Sequence, residues 1–309
     1  MKKPKIIIGT RGSKLALWQA QWVKSYLVQK FADLDIELKI IKTKGDKILD
    51  VPLAKVGGKG LFVKEIEEAL VDKRIDIAVH SMKDMPAELY EGLCIGAIPE
   101  RENSCDVLIS HKGLLLSQLP INARIGTSSL RRIAQIKRVR PDFEISPLRG
   151  NLDTRIRKLE EGEIDAIILA AAGVKRLGLE SIITQYLNED VMLPAVGQGA
   201  LCIEIRKEDQ DISRYINAMD HFLTHAVVSG ERAFLKRLEG SCQIPVAGYG
   251  KAENNVFTIK GLVADLDGKT IISDIQKGPL ESSEKIGVAL ADKLISMGAK
   301  RLLENLTEM

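Results

Sequence analysis

Short apolar runs along this chain alternate with longer stretches in which apolar residues recur every three or four positions. Lys5-Ile-Ile-Ile-Gly9 is an apolar run closed by a glycine, and after Ser13 the residues Leu15, Trp18, Trp22, Tyr26 and Leu27 fall at helical spacing. That predicts a strand, a turn and a helix that opens at Ser13. Residues 36–42 alternate as a strand does, residues 61–71 return to a helical period, and Ile75-Asp-Ile-Ala-Val79 is again strand-like. The order βαβαβ predicts an α/β fold with a parallel sheet and helices on its faces.

The pattern then repeats. Ile8-Gly-Thr-Arg-Gly-Ser-Lys-Leu-Ala16 is echoed by Ile125-Gly-Thr-Ser-Ser-Leu-Arg-Arg-Ile-Ala134, and Ile75-Asp-Ile-Ala-Val-His80 by Ile164-Asp-Ala-Ile-Ile-Leu169. Two similar α/β domains descended from a duplication are the economical reading. Glu100-Arg-Glu-Asn-Ser104 suits a crossover between them, and Pro194-Ala-Val-Gly-Gln-Gly199 a second, after which residues 200–205 read as a strand returning to the first sheet. Two crossovers make a hinge, and paired α/β domains so joined resemble periplasmic-type ligand-binding folds. From His221 the texture changes to a helical stretch, a loop around Cys242, three short strands (245–249, 256–263, 270–275) and a closing helical pattern over 281–305. The predicted division is residues 1–100 with 199–218, residues 104–195, and a smaller α+β domain over 221–309.

Composition narrows the function. The chain has 309 residues, 45% hydrophobic and 28% charged, an ordinary balance for a soluble protein of more than one domain. Three consecutive apolar residues after the basic start are too few for a signal-peptide core or a membrane span, so a cytoplasmic location is expected. Four cysteines without C-x-x-C spacing suggest neither a disulfide framework nor a zinc site, and His221 and His225 lack a third ligand at a recognisable spacing, so no metal is expected. Residues 124–158 hold ten Lys/Arg against three Asp/Glu, a local net of +7 that reads as a landing site for a polyanion or as a solvated face. Phe143 is the single aromatic there and no groove-reading motif is present, which gives nucleic acid little support. A small ligand with several carboxylates suits the arginines better, because guanidinium forks bind carboxylates bidentately.

Local motifs suggest where chemistry could lie. Each domain offers a Gly-Thr turn leading into a helix N-terminus, where Thr10 or Ser13, and Thr127 or Ser128, either cap the helix or bind an anion. His80-Ser-Met-Lys-Asp-Met-Pro86 follows a strand, and Asp84 beside Lys83 is either a loop ion pair or a reactive group. Residues 44–60 form a glycine-rich basic loop with no P-loop pattern, a lid or a plain connection. Cys242 stands among Gly240, Ser241 and Pro245, a loop with little bulk to bury a thiol.

Five motifs together carry a family resemblance: His80 to Pro86, Gly126-Thr-Ser-Ser-Leu-Arg-Arg132, Leu148-Arg-Gly-Asn-Leu-Asp-Thr-Arg155, Leu193-Pro-Ala-Val-Gly-Gln-Gly-Ala200 and Gly240-Ser-Cys-Gln-Ile-Pro245. In order, and over essentially the whole chain, they resemble the porphobilinogen deaminases. The resemblance implies a monomeric transferase of tetrapyrrole biosynthesis that condenses four porphobilinogen units head to tail with loss of ammonia, then releases hydroxymethylbilane. It also implies a dipyrromethane cofactor joined by a thioether to Cys242, which would explain the exposed loop thiol. Asp84 would be the catalytic carboxylate, stabilising cationic pyrrole intermediates by electrostatics, hydrogen bonding and proton transfer. Lys83, Asp84, Thr127, Ser129, Arg131, Arg132, Ser146, Arg149, Gly150 and Arg155 would hold the cofactor. Arg11, Ser13, Lys59, Phe62, Arg149, Arg155, Arg176 and Gln198 would hold substrate, with Lys55 and Lys59 on a mobile flap and Phe62 either against pyrrole rings or in the core. Cys202 departs from the family pattern, in which a smaller residue is expected, and its mid-strand place predicts an inert buried thiol. The rival is a two-domain protein that sequesters an anionic ligand, a role that does not need Cys242.

The mass of the intact protein separates these readings. The purified protein is expected to be heavier than its chain by one dipyrromethane, and Cys242→Ala to show the bare chain mass. A bare mass for both, even after incubation with porphobilinogen, would favour the binding protein.

Overall fold

The computed structural model describes residues 4–47, 63–238 and 244–307. By packing, the chain falls into two compact units, Met1–Glu102 with Ala200–His225, and Asn103–Gly199 with Ala226–Met309.

The first unit is built on β1 (Lys5–Thr10), β2 (Asp35–Ile40), β3 (Ile77–Ser81), β4 (Leu93–Ala97) and β10 (Leu201–Arg206), in the spatial order β2-β1-β3-β10-β4. The second contains β5 (Asp106–Ser110), β6 (Arg124–Gly126), β7 (Glu144–Ser146), β8 (Ala166–Ala170) and β9 (Gln185–Leu187), in the order β7-β6-β8-β5-β9. The two orders are the same when β6, β7 and β8 are matched to β1, β2 and β3. Neither sheet is wholly parallel, contrary to the expectation from the βαβαβ pattern. β10 runs antiparallel to β3 and β4, and β5 antiparallel to β8 and β9. Each of these strands follows a passage from one unit to the other instead of a helix on its own sheet's face, so no crossover connection obliges it to run parallel.

The sequence echo survives as identical packing. Ile8 lies opposite Ile77 and Gly9 opposite Ala78, while Ile125 lies opposite Ala166 and Gly126 opposite Ile167. A Cβ on Gly9 would collide with Cδ1 of Ile75, and one on Gly126 would sit 2.6 Å from Cδ1 of Ile164, the residue matching Ile75. Asp76 accepts the backbone N–H of Ile7 at 2.9 Å, as its counterpart Asp165 accepts that of Arg124 at 2.7 Å. The repeated Gly and Ile-Asp pairs therefore fasten the same two strands in each domain.

The helix Lys14–Lys30 is capped by Ser13, whose side chain accepts from the N–H of Ala16. Its sheet-facing stripe is Ala16, Ala20, Val23 and Leu27, the i, i+4, i+7, i+11 spacing of one helix face. Trp18 and Trp22, which the apolar pattern places on that stripe, stay 37% and 36% exposed. Small residues let the helix lie close to β1 and β3, and the indoles are left at its margin. The core beneath joins Ile6, Ile8, Leu34, Ile36, Ile77, Val79, Ile203 and Ile205, each contributing on the order of 2 kcal/mol by burial.

In the second unit an antiparallel sheet of β11 (Val246–Glu253), β12 (Val256–Ala264) and β13 (Ile271–Pro279) packs with the helices Phe222–Arg237 and Ser283–Ser296 around Phe234, Phe257, Ile259 and Leu290. The closing helical pattern is two helices, Ser283–Ser296 and Ala299–Thr307, parted at Gly298 with φ 103. Ala134 and Leu193 share a buried cluster with Ala247, Leu262 and Ala264 of the C-terminal segment. Ala134, the one small residue of the helix Leu130–Val139, thus lies against the C-terminal sheet.

Gly126→Ala is expected to destabilise the protein by about 1–3 kcal/mol through overpacking. Adding Ile164→Val, which removes the Cδ1 methyl, should recover part of that loss. Strictly additive losses in urea denaturation would refute this account of the glycine.

Candidate active site

β3 is buried until its last residue, and beyond it the chain makes one 3-10 turn, Met82–Asp84. Met82 and Met85 are 2% and 4% exposed, so two apolar anchors hold the turn and leave Asp84 exposed between them. The turn is fixed further by the N–H of Met82, which donates to Ala200 O at 3.0 Å, and that of Met85, which donates to Met82 O at 3.1 Å. Because β1 is parallel to β3, the loop after β1 ends beside it. Arg11, Ser13, Gln19, His80, Ser81 and Asp84 line one pocket, floored by Ala16 and Val79. Gln19 Nε2 donates to Ser81 Oγ at 3.0 Å, tying the two sides. Ser13 caps the helix and also faces the pocket, whereas Thr10 Oγ donates to Ala16 O and caps no N–H, so the capping reading holds for Ser13 alone of the two.

Directly behind the pocket lies a group that the sequence reading missed. His80 Nε2 is 3.1 Å from Oε2 of Glu204, a residue of β10 that is 0% exposed. Glu67, on the helix Lys64–Val71, is 5% exposed, and among the described residues Oε1 of both glutamates has no hydrogen-bond partner. Burial, reinforced by Glu204 and opposed by His80, pushes the Glu67 carboxyl up to about 7. The signal was present in sequence, since Glu204 interrupts the apolar run Leu201-Cys-Ile-Glu-Ile205. Cys202 is buried, as its mid-strand place predicts.

In the second unit the predicted residues divide into two groups. Thr127 donates its N–H to Ser146 O at 3.0 Å and accepts that of Ser129 on its hydroxyl at 3.2 Å, while Ser128 Oγ and Leu148 bond each other twice. These bonds join the loops after β6 and β7. Gly150, with φ 98, turns the second loop so that its carbonyl accepts from Arg155 Nε at 3.0 Å, and Arg149 precedes it. Arg176 reaches Gly199 O at 2.7 Å.

Arg131, Arg132 and Gln198 are instead turned inward. The two arginines are 5% exposed and converge on Asp106, which is 0% exposed, with Arg131 Nη1 at 2.7 Å from Oδ2 and Arg132 Nε at 2.9 Å from Oδ1. Gln198 Nε2 donates to the same carboxylate at 3.2 Å and to Ser104 O at 2.7 Å. Burial lowers the proton affinity of Arg132, and Asp106 opposes the shift. The +7 segment is therefore not one open patch. Its charges meet partners from outside the counted stretch: Asp106, Asp165, Glu161 and Glu163. Lys55, Lys59, Phe62 and Cys242 lie outside the described residues.

A family model described as porphobilinogen deaminase, dipyromethane cofactor binding domain, matches residues 6–214, and one for the porphobilinogen deaminase C-terminal domain matches residues 226–296. The porphobilinogen deaminase of Carboxydothermus hydrogenoformans is 54% identical over 304 residues, covering 98% of each chain. That of Geobacter sulfurreducens is 53% identical over 296 residues, covering 96% of this chain and 93% of its own. Among solved structures, a Salmonella typhimurium periplasmic binding protein with high arginine specificity aligns at TM-score 0.40 and 13% identity, over 73% of this chain and 94% of its own.

The raised Glu67 carboxyl fixes a pH dependence. The native state holds that proton more tightly than the unfolded chain, whose carboxyl titrates near 4.5, so stability falls as pH rises from there to about 7 and is level above. Glu67→Gln removes the titration and should gain on the wild type across that window, by ~3 kcal/mol at full ionisation. Urea denaturation at about pH 5 and about pH 8 measures it, and an equal difference at both would refute the shift.

Proposed function

The chain belongs to the porphobilinogen deaminase family, and we propose that Asp84 is the carboxylate on which its catalysis depends. It is a transferase that deaminates porphobilinogen and joins four units head to tail into hydroxymethylbilane for tetrapyrrole biosynthesis. One observation carries the proposal: a pocket lined by this turn brings an exposed carboxylate together with a guanidinium and a hydroxyl, those of Asp84, Arg11 and Ser13. That donor set suits a pyrrole with acidic side chains, the carboxylate for ring N–H groups and the other two for acetate and propionate.

The dipyrromethane, held by the thiol of Cys242 in our reading, supplies the pyrrole end to which units are added. Asp84 accepts a hydrogen bond from the pyrrole N–H and stabilises the positive charge that grows on that ring as ammonia leaves. In this reading its carboxylate also moves a proton. Arg11, Ser13 and Lys83 in the first unit, and Thr127, Ser129, Ser146, Arg149, Gly150, Arg155 and Arg176 in the second, form the carboxylate-binding sets. Arg131 and Arg132, two cations on one buried Asp106, add a net positive charge next to Ser129, and Gln198 steadies that cluster. Lys59 and Phe62 belong to the same reading. So does a cytoplasmic monomer without membrane or nucleic-acid partners; among the described residues no helix is long and apolar enough to cross a membrane.

Asp84→Asn tests the assignment. The variant should melt as the wild type does and keep the mass of the loaded protein, because Asp84 is exposed, while kcat falls at least ~100-fold. Near-normal turnover would remove Asp84 from the centre of the mechanism.

A further inference from the structure

The duplicated fold contains its own control for the polar group behind the pocket. Matching Ile77 to Ala166 places His80 on Leu169 and Ala78 on Ile167. Glu204 pairs with Ala78 and Ile109 with Ile167, so Glu204 corresponds to Ile109. Glu67 precedes Ile75 by the same spacing as Ile156 precedes Ile164, which matches those two in turn. Leu169, Ile109 and Ile156 belong to one apolar cluster. The layer under the helix is thus filled by hydrocarbon in one domain. In the domain that carries Asp84, the same three places hold an imidazole and two carboxylates.

Folding does not account for this difference. An apolar filling is available to this architecture, and replacing buried charged groups with hydrocarbon is often neutral or stabilising. Among the described residues, Oε1 of Glu67 and of Glu204 moreover has no donor, a cost that the second domain avoids. A proton on Glu67 reduces that cost by neutralising one carboxylate. Only His80 of the three also lines the pocket with Asp84.

Each coupling sheds a proton. The carbon–nitrogen bond of porphobilinogen breaks with its electron pair leaving on ammonia, a carbon–carbon bond forms, and the carbon–hydrogen bond at the attacked pyrrole α-position breaks with its pair returning to the ring. The shed proton ends on ammonia, which departs as ammonium, and nothing is oxidised or reduced. We propose that His80, Glu204 and Glu67 are a proton relay for this step, with His80 exchanging the proton with the Asp84 pocket and the two glutamates holding it out of water until it passes to the released ammonia. The three act through Asp84 and position the proton; none is assigned contact with substrate. The inference rests on the reading of the pocket as the active site.

Among the described residues, the helix adds Glu68 to the charges acting on Glu67, and β4 adds Cys94, whose thiol is pushed up by burial and by Glu204 and lowered by Lys207. The backbone N–H of Tyr90 donates to Glu67, and Asp84 and Arg11 face His80 from the pocket.

Infrared titration of the loaded protein tests the relay without reference to turnover. A protonated buried carboxyl should be present below neutrality, titrate with a midpoint of about 7, and be missing in Glu67→Gln. Its absence from the wild type overturns the proposal however the variants fold. Glu67→Gln should also lower kcat about 10-fold with KM changed less than about twofold, and erase that midpoint from the pH profile of kcat. An unchanged profile overturns the relay. A triple variant copied from the second domain, Glu67→Ile with His80→Leu and Glu204→Ile, should fold at least as stably and turn over slowly; wild-type turnover in it would also overturn the relay. Failure of the Asp84 reading looks different, because Asp84→Asn would then be active while the wild-type infrared titration stood unchanged.

Discussion

The structure depends on a close approach made twice. In each α/β domain a glycine at the end of the first strand lies under the Cδ1 of an isoleucine that enters the third strand, Gly9 under Ile75 and Gly126 under Ile164. An aspartate beside each isoleucine bonds the first strand at its start. This contact sets the two parallel strands side by side in register, and their carboxyl ends then come out together. In the first domain that brings the Arg11–Ser13 loop next to the turn bearing Asp84. In the second, hydrogen bonds to Ser146 and Leu148 hold the Thr127–Ser129 loop against the end of β7 and the loop that follows it.

Once the strands are so fixed, the two domains differ in what fills the layers around them. Beside β3 the filling includes Glu67, His80 and Glu204; beside β8 it is Ile156, Leu169 and Ile109. Beside β5 a single buried carboxylate, Asp106, gathers Arg131, Arg132 and Gln198. Either ionic cluster is costly to bury, and breaking one partner from it would strand a charge in a dry layer. Their places differ accordingly. The acidic cluster adjoins an exposed carboxylate of the pocket, and the basic one holds the start of the helix that follows Ser129, so each modifies the electrostatics of a loop that it does not belong to.

Much of this was legible in the chain. The strand and helix order, the duplication, the cap at Ser13, the two passages between domains and the motif set around Asp84 all rest on neighbours within a few residues, where backbone preference and side-chain period act directly. The antiparallel strands β10 and β5 in otherwise parallel arrangements were not legible, because strand direction depends on which way the chain re-enters a sheet. The place of Trp18 and Trp22 was misjudged because the period identifies a helix face more readily than it tells which side of an amphipathic stripe meets the sheet.

Charge partners were the least legible feature. Ten basic residues in one stretch suggested a single polyanion surface, yet Arg131 and Arg132 answer to Asp106 from 25 and 26 residues earlier in the chain. His80 and Glu204 are separated by 124 residues. Sequence by itself determined the elements, their repetition and the chemistry each loop could offer, since those follow from local period and residue type. Only the tertiary structure decided which ionisable groups are dry and which meet, because burial and partnership are set by strands that pair across the whole length of the chain.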